Sequence, residues 1–398
     1  MAMSIKKVIY KKLLKNLSTE PFDVTFWDGS TIHYNDGISK FRLTFNKPLN
    51  RKSLKENPMI ALAEGYMDKD IEVEGHLEYV METIFSKQSS FINQPKKKLS
   101  KSTKKGNNKQ TSKENASFHY DIGNDFYRLW LDPTMNYSCA YFKSEHDSLY
   151  EAQVNKMNHI LKKLNLQPGQ RLLDIGSGWG HLIIEAAKQY NVRSLGITLS
   201  EEQYRKTLER VEAEGLVGQV DVKLMDYRDL MNENMTFDRI VSVGMLEHVG
   251  HENIPTFMDN THKLLKEGGV ALLHCITGLE EVEGNEFLTK YIFPGGAIPS
   301  IRELIDHMSQ NNLRIVDVES LRRHYTLTLR HWVENFESNI DKVRDQFDER
   351  FIRMWRLYLN ACAANFTYGV SDLHQFLITK GVNNDLPMTR DYLYQEDE

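Results

Sequence analysis

The chain has 398 residues, 40% hydrophobic and 26% charged, with a formal net charge of -5. This is the make-up of a globular protein long enough for two domains, and it excludes a disordered or fibrous chain. The negative balance excludes general nucleic-acid binding through bulk charge, no apolar run reaches membrane-spanning length, and the three widely spaced cysteines make neither a metal cluster nor a disulfide framework.

The chain opens with a basic amphipathic stretch. Ile5, Val8, Ile9, Leu13 and Leu17 recur at helical spacing, flanked by Lys6, Lys7, Lys11, Lys12 and Lys15. Such a helix suits either a membrane interface or a packed position with a solvated lysine face. No secretory h-region or cleavage site is visible, so a cytoplasmic protein in a reducing compartment is expected. Strand-like runs follow at Val24–Trp27 and Thr31–Tyr34, with the hairpin signal Asp28-Gly29 between them. From Pro95 to Lys113 the chain reads PKKKLSKSTKKGNNKQTSK, with eight lysines, no acid and one leucine. It cannot bury enough apolar surface to offset its ordering entropy and reads as a flexible linker. The expected organisation is an N-terminal lipid- or membrane-contact domain over 1–92, a basic linker over 93–115 and a larger domain over 116–398.

The larger domain alternates strand and helix. Strands are expected at Arg171–Ile175, Val192–Ile197, Val220–Met225, Asp238–Val243, Val270–Ile276 and Leu313–Val318. Helices are expected between them at Leu182–Tyr190, Glu201–Glu214, Ile254–Leu265 and Ile301–Asn311. The fold class is therefore α/β, a mostly parallel sheet with helices on both faces, beside a smaller α+β N-terminal domain. Ligands of such sheets bind beyond the carboxyl ends of the strands.

The run LDIGSGWG, Leu173–Gly180, follows a short apolar strand and opens a helix. Its spacing is G-x-G-x-G, not the G-x-G-x-x-G of a dinucleotide site, and the next strand ends in Gly196-Ile197-Thr198 without an acid. This disfavours NAD and suits a nucleoside with a neutral or cationic tail, such as S-adenosylmethionine; a purely structural turn would need the same glycines. Three later segments fall at strand ends. Thr198 and Gln203 lie where ribose hydroxyls would be, Asp226, Tyr227 and Arg228 near an adenine, and MLEHVG, Met245–Gly250, nearest the reacting methyl group.

These residues, with FHYDIGNDFYRLWLD (Phe118–Asp132), MNYSCAYF (Met135–Phe142), YIFPGGAIPS (Tyr291–Ser300) and YLNACAAN (Tyr358–Asn365), resemble the cyclopropane fatty acid synthases and mycolic acid cyclopropane synthases. The resemblance is dense from Ser117 onward and looser before it, chiefly through GYMDKDIEVEG (Gly65–Gly75). It implies a Rossmann-like S-adenosylmethionine-dependent methyltransferase domain over 116–398. It implies cofactor contacts at Tyr137, Ser138, Asp174, Gly176, Gly178, Trp179, Gly180, Thr198, Gln203, Asp226, Tyr227 and Arg228. Ser177 stands where the family often has Cys, a small-for-small exchange.

Ring formation on an isolated alkene needs a sulfonium held tightly against it in a dry site. Aromatic faces can stabilise the carbocation that follows without capturing it, and a base must then remove one proton so that the ring closes. The resemblance implies bound bicarbonate as that base, held by Cys139, Glu247, His274, the backbone of Ile276, and Tyr325. The match in YLNACAAN adds Cys362 as a candidate nucleophile, although sulfonium chemistry needs none and Cys362 sits on an apolar helical stretch with Met354, Leu357, Tyr358 and Phe366.

The expected reaction is methylene transfer to the cis double bond of an unsaturated phospholipid acyl chain. The enzyme would associate peripherally with the inner face of a membrane, with no metal and no nucleic-acid partner, and a homodimer is left open. A small-molecule N- or O-methyltransferase of the same fold, or a non-catalytic lipid-binding protein, are the competing readings.

Overall fold

The computed structural model describes residues 5–87, 108–120, 122–281 and 285–395. The chain forms two compact units. One comprises Met1–Lys97, Asn285–Ile292 and Leu329–Val370; the other comprises Lys98–Gly284, Phe293–Thr328 and Ser371–Glu398. Most of the 93–115 linker lies outside the described residues. Its last part, from Lys109, belongs to a helix running to Tyr120, and Lys109 pairs with Asp229.

The smaller unit is built on a four-stranded sheet: β1 (Phe22–Thr25), β2 (Thr31–Tyr34), β3 (Phe41–Phe45) and β4 (Ile71–Glu74), in the order β2-β1-β3-β4. β1 and β2 form the hairpin turned by Asp28-Gly29. The N-terminal helix, Ile5–Leu14, spends its apolar side on this sheet. Tyr10, Leu14 and Leu17 are buried with Phe22, Val24, Phe26 and Phe45, and Lys7 pairs with Asp28. Of the expected stripe, Leu17 is buried and Leu13 partly buried against this core, whereas Val8 is 51% exposed. The late helix Glu349–Thr367 joins the same unit through Arg353. Its guanidinium donates to the Tyr66 and Ile71 carbonyls and to Glu72 and lies 4.1 Å from the Tyr66 ring centroid. A fork of fixed donors satisfies three acceptors at once, which the sequence did not disclose.

The larger unit holds seven strands: β5 (Arg171–Ile175), β6 (Arg193–Thr198), β7 (Val220–Leu224), β8 (Phe237–Val243), β9 (Leu265–Thr277), β10 (Leu313–Ser320) and β11 (Asp372–Lys380). Their order is β10-β11-β9-β8-β5-β6-β7. The run from β9 to β7 is parallel, and β11 is antiparallel to both neighbours. The inner strands β5, β6, β8 and β9 are buried on both faces for most of their length, whereas the edge strand β7 alternates buried Val220 and Val222 with exposed Asp221. The strand order reverses beside β5, which opens a crevice at its carboxyl end. The helix Leu149–Leu164 starts in a Ser148/Glu151 capping box. It turns Lys156, His159 and Lys163 onto its buried side, where turns at i, i+3/i+4 and i+7 share a face.

Candidate active site

The loop after β5 turns sharply because Gly176 adopts φ +87° and its N–H, with that of Ser177, closes onto the Ile197 carbonyl at 3.0 Å. A Cβ on Gly176 would sit 3.0 Å from Met245, so the strand-to-helix turn and the β8 loop can approach only with glycine there. A cavity opens beyond these loops. Its walls include Tyr137, Ser138, Asp174, Gly176, Gly178, Trp179, Thr198, Gln203, Asp226, Tyr227 and Arg228, which are eleven of the twelve sequence-predicted cofactor residues. The twelfth, Gly180, is not in the wall: it faces Thr207, and a Cβ would lie 2.4 Å from the threonine Cγ2. Glycine at this position lets the start of the helix His181–Tyr190 pack against Thr207.

The polar groups of the cavity are tightly ordered. Thr198 Oγ1 donates to Gln203 Oε1 at 2.7 Å. Arg228 clamps Asp226 through Nε at 2.7 Å and Nη2 at 2.6 Å. Trp179 Nε1 donates to Asn124 at 2.7 Å. Asp174 is buried, and its Oδ1 has no hydrogen-bond partner among the described residues; burial pushes its carboxyl up to about 7, against the pull of Lys156. A buried orphaned acceptor, two carboxylate oxygens at Asp226, and a glycine turn held close to Met245 at Gly176 fit a hydroxyl- and ammonium-bearing nucleoside such as S-adenosylmethionine. Lys156, which sequence reasoning missed, also lines the cavity. It donates to Ser138 Oγ at 3.0 Å and Asn136 Oδ1 at 3.2 Å, and burial lowers its ammonium to about 8. The available signal was a lysine on the apolar stripe Ala152, Lys156, Met157, Ile160.

Four of the five residues expected around an anion adjoin this cavity. Glu247 stands between the wall residues Met245 and His248, and His274 on β9 is the register partner of the wall residue Val243. Glu247 Oε1 accepts the Ile276 backbone N–H at 2.6 Å, so in this structure that N–H is used by Glu247. Glu247 Oε2 and His274 Nε2 are buried without hydrogen-bond partners among the described residues. Burial raises the Glu247 carboxyl to about 7 and drives the His274 imidazole well down, helped by Lys156. Cys139 is fully buried, with its Sγ 3.2 Å from the Ala140 carbonyl. Burial pushes its thiol well up, against Lys156, so it stays a neutral thiol, with its proton directed at that carbonyl.

Tyr325, the fifth, lies near the start of the helix Arg322–Ser338. That helix is stitched to the Cys139 segment on both sides of Tyr325: Ala140 N donates to Thr328 Oγ1 at 3.0 Å and Phe142 N to His324 Nδ1 at 2.9 Å. Aromatic rings pack around the wall residue Tyr137, with buried His119 4.3 Å from Phe293 and 5.5 Å from Tyr137, and buried Trp130 5.1 Å from Tyr137.

Cys362 is elsewhere. It belongs to the smaller unit, where it lines an apolar cavity of about 150 Å³ with Leu43, Met59, Leu77, Ile84 and Leu357. Burial pushes its thiol up to about 12, the opposite of what an activated nucleophile requires. Among the described residues no group of three or more His, Cys, Asp and Glu is arranged to hold a metal ion, and no helix is long and apolar enough to cross a membrane.

Comparison with known proteins bears on this geometry. Residues 107–376 match the family described as mycolic acid cyclopropane synthetase, and residues 9–96 match a domain of unknown function. A probable fatty acid methyltransferase of Pseudomonas putida is 37% identical over 393 residues, covering 94% of this chain and 96% of that protein. The cyclopropane-fatty-acyl-phospholipid synthase of Escherichia coli K12 is 43% identical over 273 residues, 68% of this chain and 69% of that one. A solved mycolic acid cyclopropane synthase complexed with SAH and CTAB is 37% identical, with a TM-score of 0.63 over 67% of this chain and 98% of that one.

Proposed function

The chain belongs to the mycolic acid cyclopropane synthetase family, and its larger unit is a Rossmann-like S-adenosylmethionine-dependent methyltransferase domain. From that premise we propose that it converts the cis double bond of an unsaturated phospholipid acyl chain into a cyclopropane, with bicarbonate as the base. S-adenosylmethionine, when bound, supplies the electrophilic one-carbon group. Asp174, Asp226 and the glycine turn would hold it, with Thr198, Gln203, Tyr137 and Ser138 along the same wall.

The observation that carries this reading is the pair of orphaned buried atoms, Glu247 Oε2 and His274 Nε2, beside that cavity. A Glu247 carboxyl raised to about 7 can keep a proton on Oε2 while Oε1 accepts from Ile276. It then offers a hydrogen bond where an ionised carboxylate would repel. His274, neutral, offers another, while the Cys139 thiol proton is directed at the Ala140 carbonyl. Convergent neutral donors suit a small oxyanion and leave its basic oxygen free to take a proton. Tyr137, Trp179 and Tyr120 offer aromatic faces to positive charge and no strong nucleophile to trap it.

A second reading, methyl transfer to a fatty acyl chain without ring closure, is favoured by the printed name of the Pseudomonas putida relative. Both outcomes need a base, because the carbocation must lose a proton either from the new methyl group or from the acyl chain; the match to cyclopropane synthases favours the first. The enzyme would act at the inner face of a membrane, reached through the basic 95–113 segment. Incubation with methyl-labelled S-adenosylmethionine and vesicles of saturated or monounsaturated phospholipid tests the reading: label should enter only the monounsaturated acyl chains, and labelling of saturated lipid or of head-group nitrogen would refute it.

A further inference from the structure

Three strands place three polar side chains in one row. On β11, Gln375 lies directly opposite His274 of β9 on one side and Glu319 of β10 on the other. Directly paired residues in adjacent strands project to the same face. The helix Leu149–Leu164 covers that face and adds His159 and Lys163, one turn apart. Lys163 Nζ donates to Glu319 Oε2 and, at 2.9 Å, to Gln375 Oε1. His159 Nε2 lies 2.7 Å from Glu319 Oε2, and Gln375 Nε2 lies 3.2 Å from His274 Nδ1. Gln375 is wholly buried, and Lys163 and His274 are each 1% exposed, so water does not compete for these bonds.

The chemistry of this row permits one arrangement. An ammonium has donors only, so the Gln375 atom facing Lys163 must be the carbonyl oxygen. The amide NH2 then faces His274 and donates to Nδ1. A ring nitrogen that accepts carries no proton, so the neutral imidazole bears its single proton on Nε2, the atom without a partner among the described residues. Glu319 forms an ion pair with the Lys163 ammonium. Burial alone would raise its carboxyl, but the His159 hydrogen bond and the Lys163 charge outweigh that and hold it at about 2.

We propose that Gln375, oriented by the Lys163–Glu319 ion pair, is a positioning residue that fixes His274 as the Nε2–H tautomer and so presents a donor to the reaction's anion. The inference rests on the anion-holding role of His274 proposed above and adds its cause: a histidine left free to choose would present a lone pair to the same anion part of the time. Metal-ligating histidines are fixed in the same way by the partner of their second nitrogen. Gln375→Glu reverses the arrangement, because a carboxylate beside Nδ1 draws the proton to Nδ1 and leaves an acceptor or a fully protonated ring at the site.

The test is two-bond 1H–15N correlation spectroscopy of the full chain labelled at its histidine rings. A His274→Gln variant identifies the resonances by their absence. The wild-type protein should show the Nε2–H pattern for His274, and Gln375→Glu should abolish it. Turnover should fall about 10- to 100-fold, as for outer-shell partners elsewhere, with KM for lipid unchanged. Gln375→Met, which removes the donor without adding charge, should give mixed tautomers and an intermediate loss. A wild-type Nδ1–H pattern overturns the proposal without need of any variant, and so does an unchanged pattern in folded Gln375→Glu. Bicarbonate titration separates the two claims: an Nε2–H pattern that bicarbonate leaves unmoved would sink the anion site while the tautomer assignment stands.

Discussion

Glu247 Oε1 accepts the backbone N–H of Ile276 at 2.6 Å. One oxygen of this carboxyl is therefore committed to the protein, and the other, Oε2, is buried without a hydrogen-bond partner among the described residues. The bond ties the loop after β8 to β9, the strand that carries His274. Glu247 thus positions the set and belongs to it.

Replacing Glu247 by Gln keeps the size and one acceptor but changes how the anion is held. Cofactor affinity should stay within experimental error while turnover falls about 100-fold or more, within the range of a general-base contribution. Bicarbonate added to a depleted wild-type preparation should restore activity. Full activity in rigorously bicarbonate-free buffer would remove the base from the scheme.

The same residue predicts a pH signature in stability. Burial raises its carboxyl from 4.5 to about 7, so the folded state holds a proton that the unfolded state releases. That contribution is fully present below pH 4.5 and is lost as pH rises through about 7. The stability of wild type relative to Glu247→Gln should therefore drop by about 3 kcal/mol between these pH values and then level off. Urea unfolding of both proteins from pH 4.5 to 8 measures this, and parallel curves would mean that the carboxyl is not buried.

Cys362 lines a dry cavity in the other unit, with a thiol pushed up to about 12. Cys362→Ala should retain most turnover, and alkylation of Cys362 near neutral pH should be slow. Cys362→Ser should also turn over, with a stability loss of about 1–3 kcal/mol from an unpaired hydroxyl among apolar walls. A trapped acyl adduct on this sulfur would reinstate it as a nucleophile.

With Tyr10, Leu14 and Leu17 buried in their own unit, the proposed membrane attraction is assigned to the Pro95–Lys113 segment and its eight lysines. Near an anionic leaflet each is worth on the order of 1 kcal/mol. Replacing them with glutamine should weaken co-sedimentation with anionic vesicles and flatten its salt dependence, with neutral vesicles unaffected. Unchanged binding would make the segment a spacer.

The parallel core was legible because each of its strands is an apolar run followed by a loop with its own signature, as in LDIGSGWG and MLEHVG. Eleven of the twelve residues expected to touch a cofactor line one cavity, because those loops follow neighbouring strands. β11 was not legible: His374 and Gln375 interrupt its apolar pattern at the point where the row across the sheet needs polar groups. Local rules fail where function overrides them. Lys156 and Lys163 were hidden for the same reason, each being a charge on a buried helix face whose partners lie in other elements. Nor could one sequence show that the segments 285–292 and 329–370 return to the N-terminal unit. That grouping rests on interactions such as Arg353 with Tyr66, far apart in the chain.

The central claim is ring formation on a lipid alkene. Mass alone does not decide it, because a cyclopropane and a methyl-branched alkene differ from the substrate by the same CH2. The decisive measurement is NMR of acyl chains recovered after the purified protein has acted on monounsaturated phospholipid vesicles with 13C-methyl S-adenosylmethionine. The account predicts that the label appears as a ring methylene, in the upfield region peculiar to cyclopropanes, with loss of the olefinic protons. Label in a methyl group on a chain that keeps its double bond would contradict it.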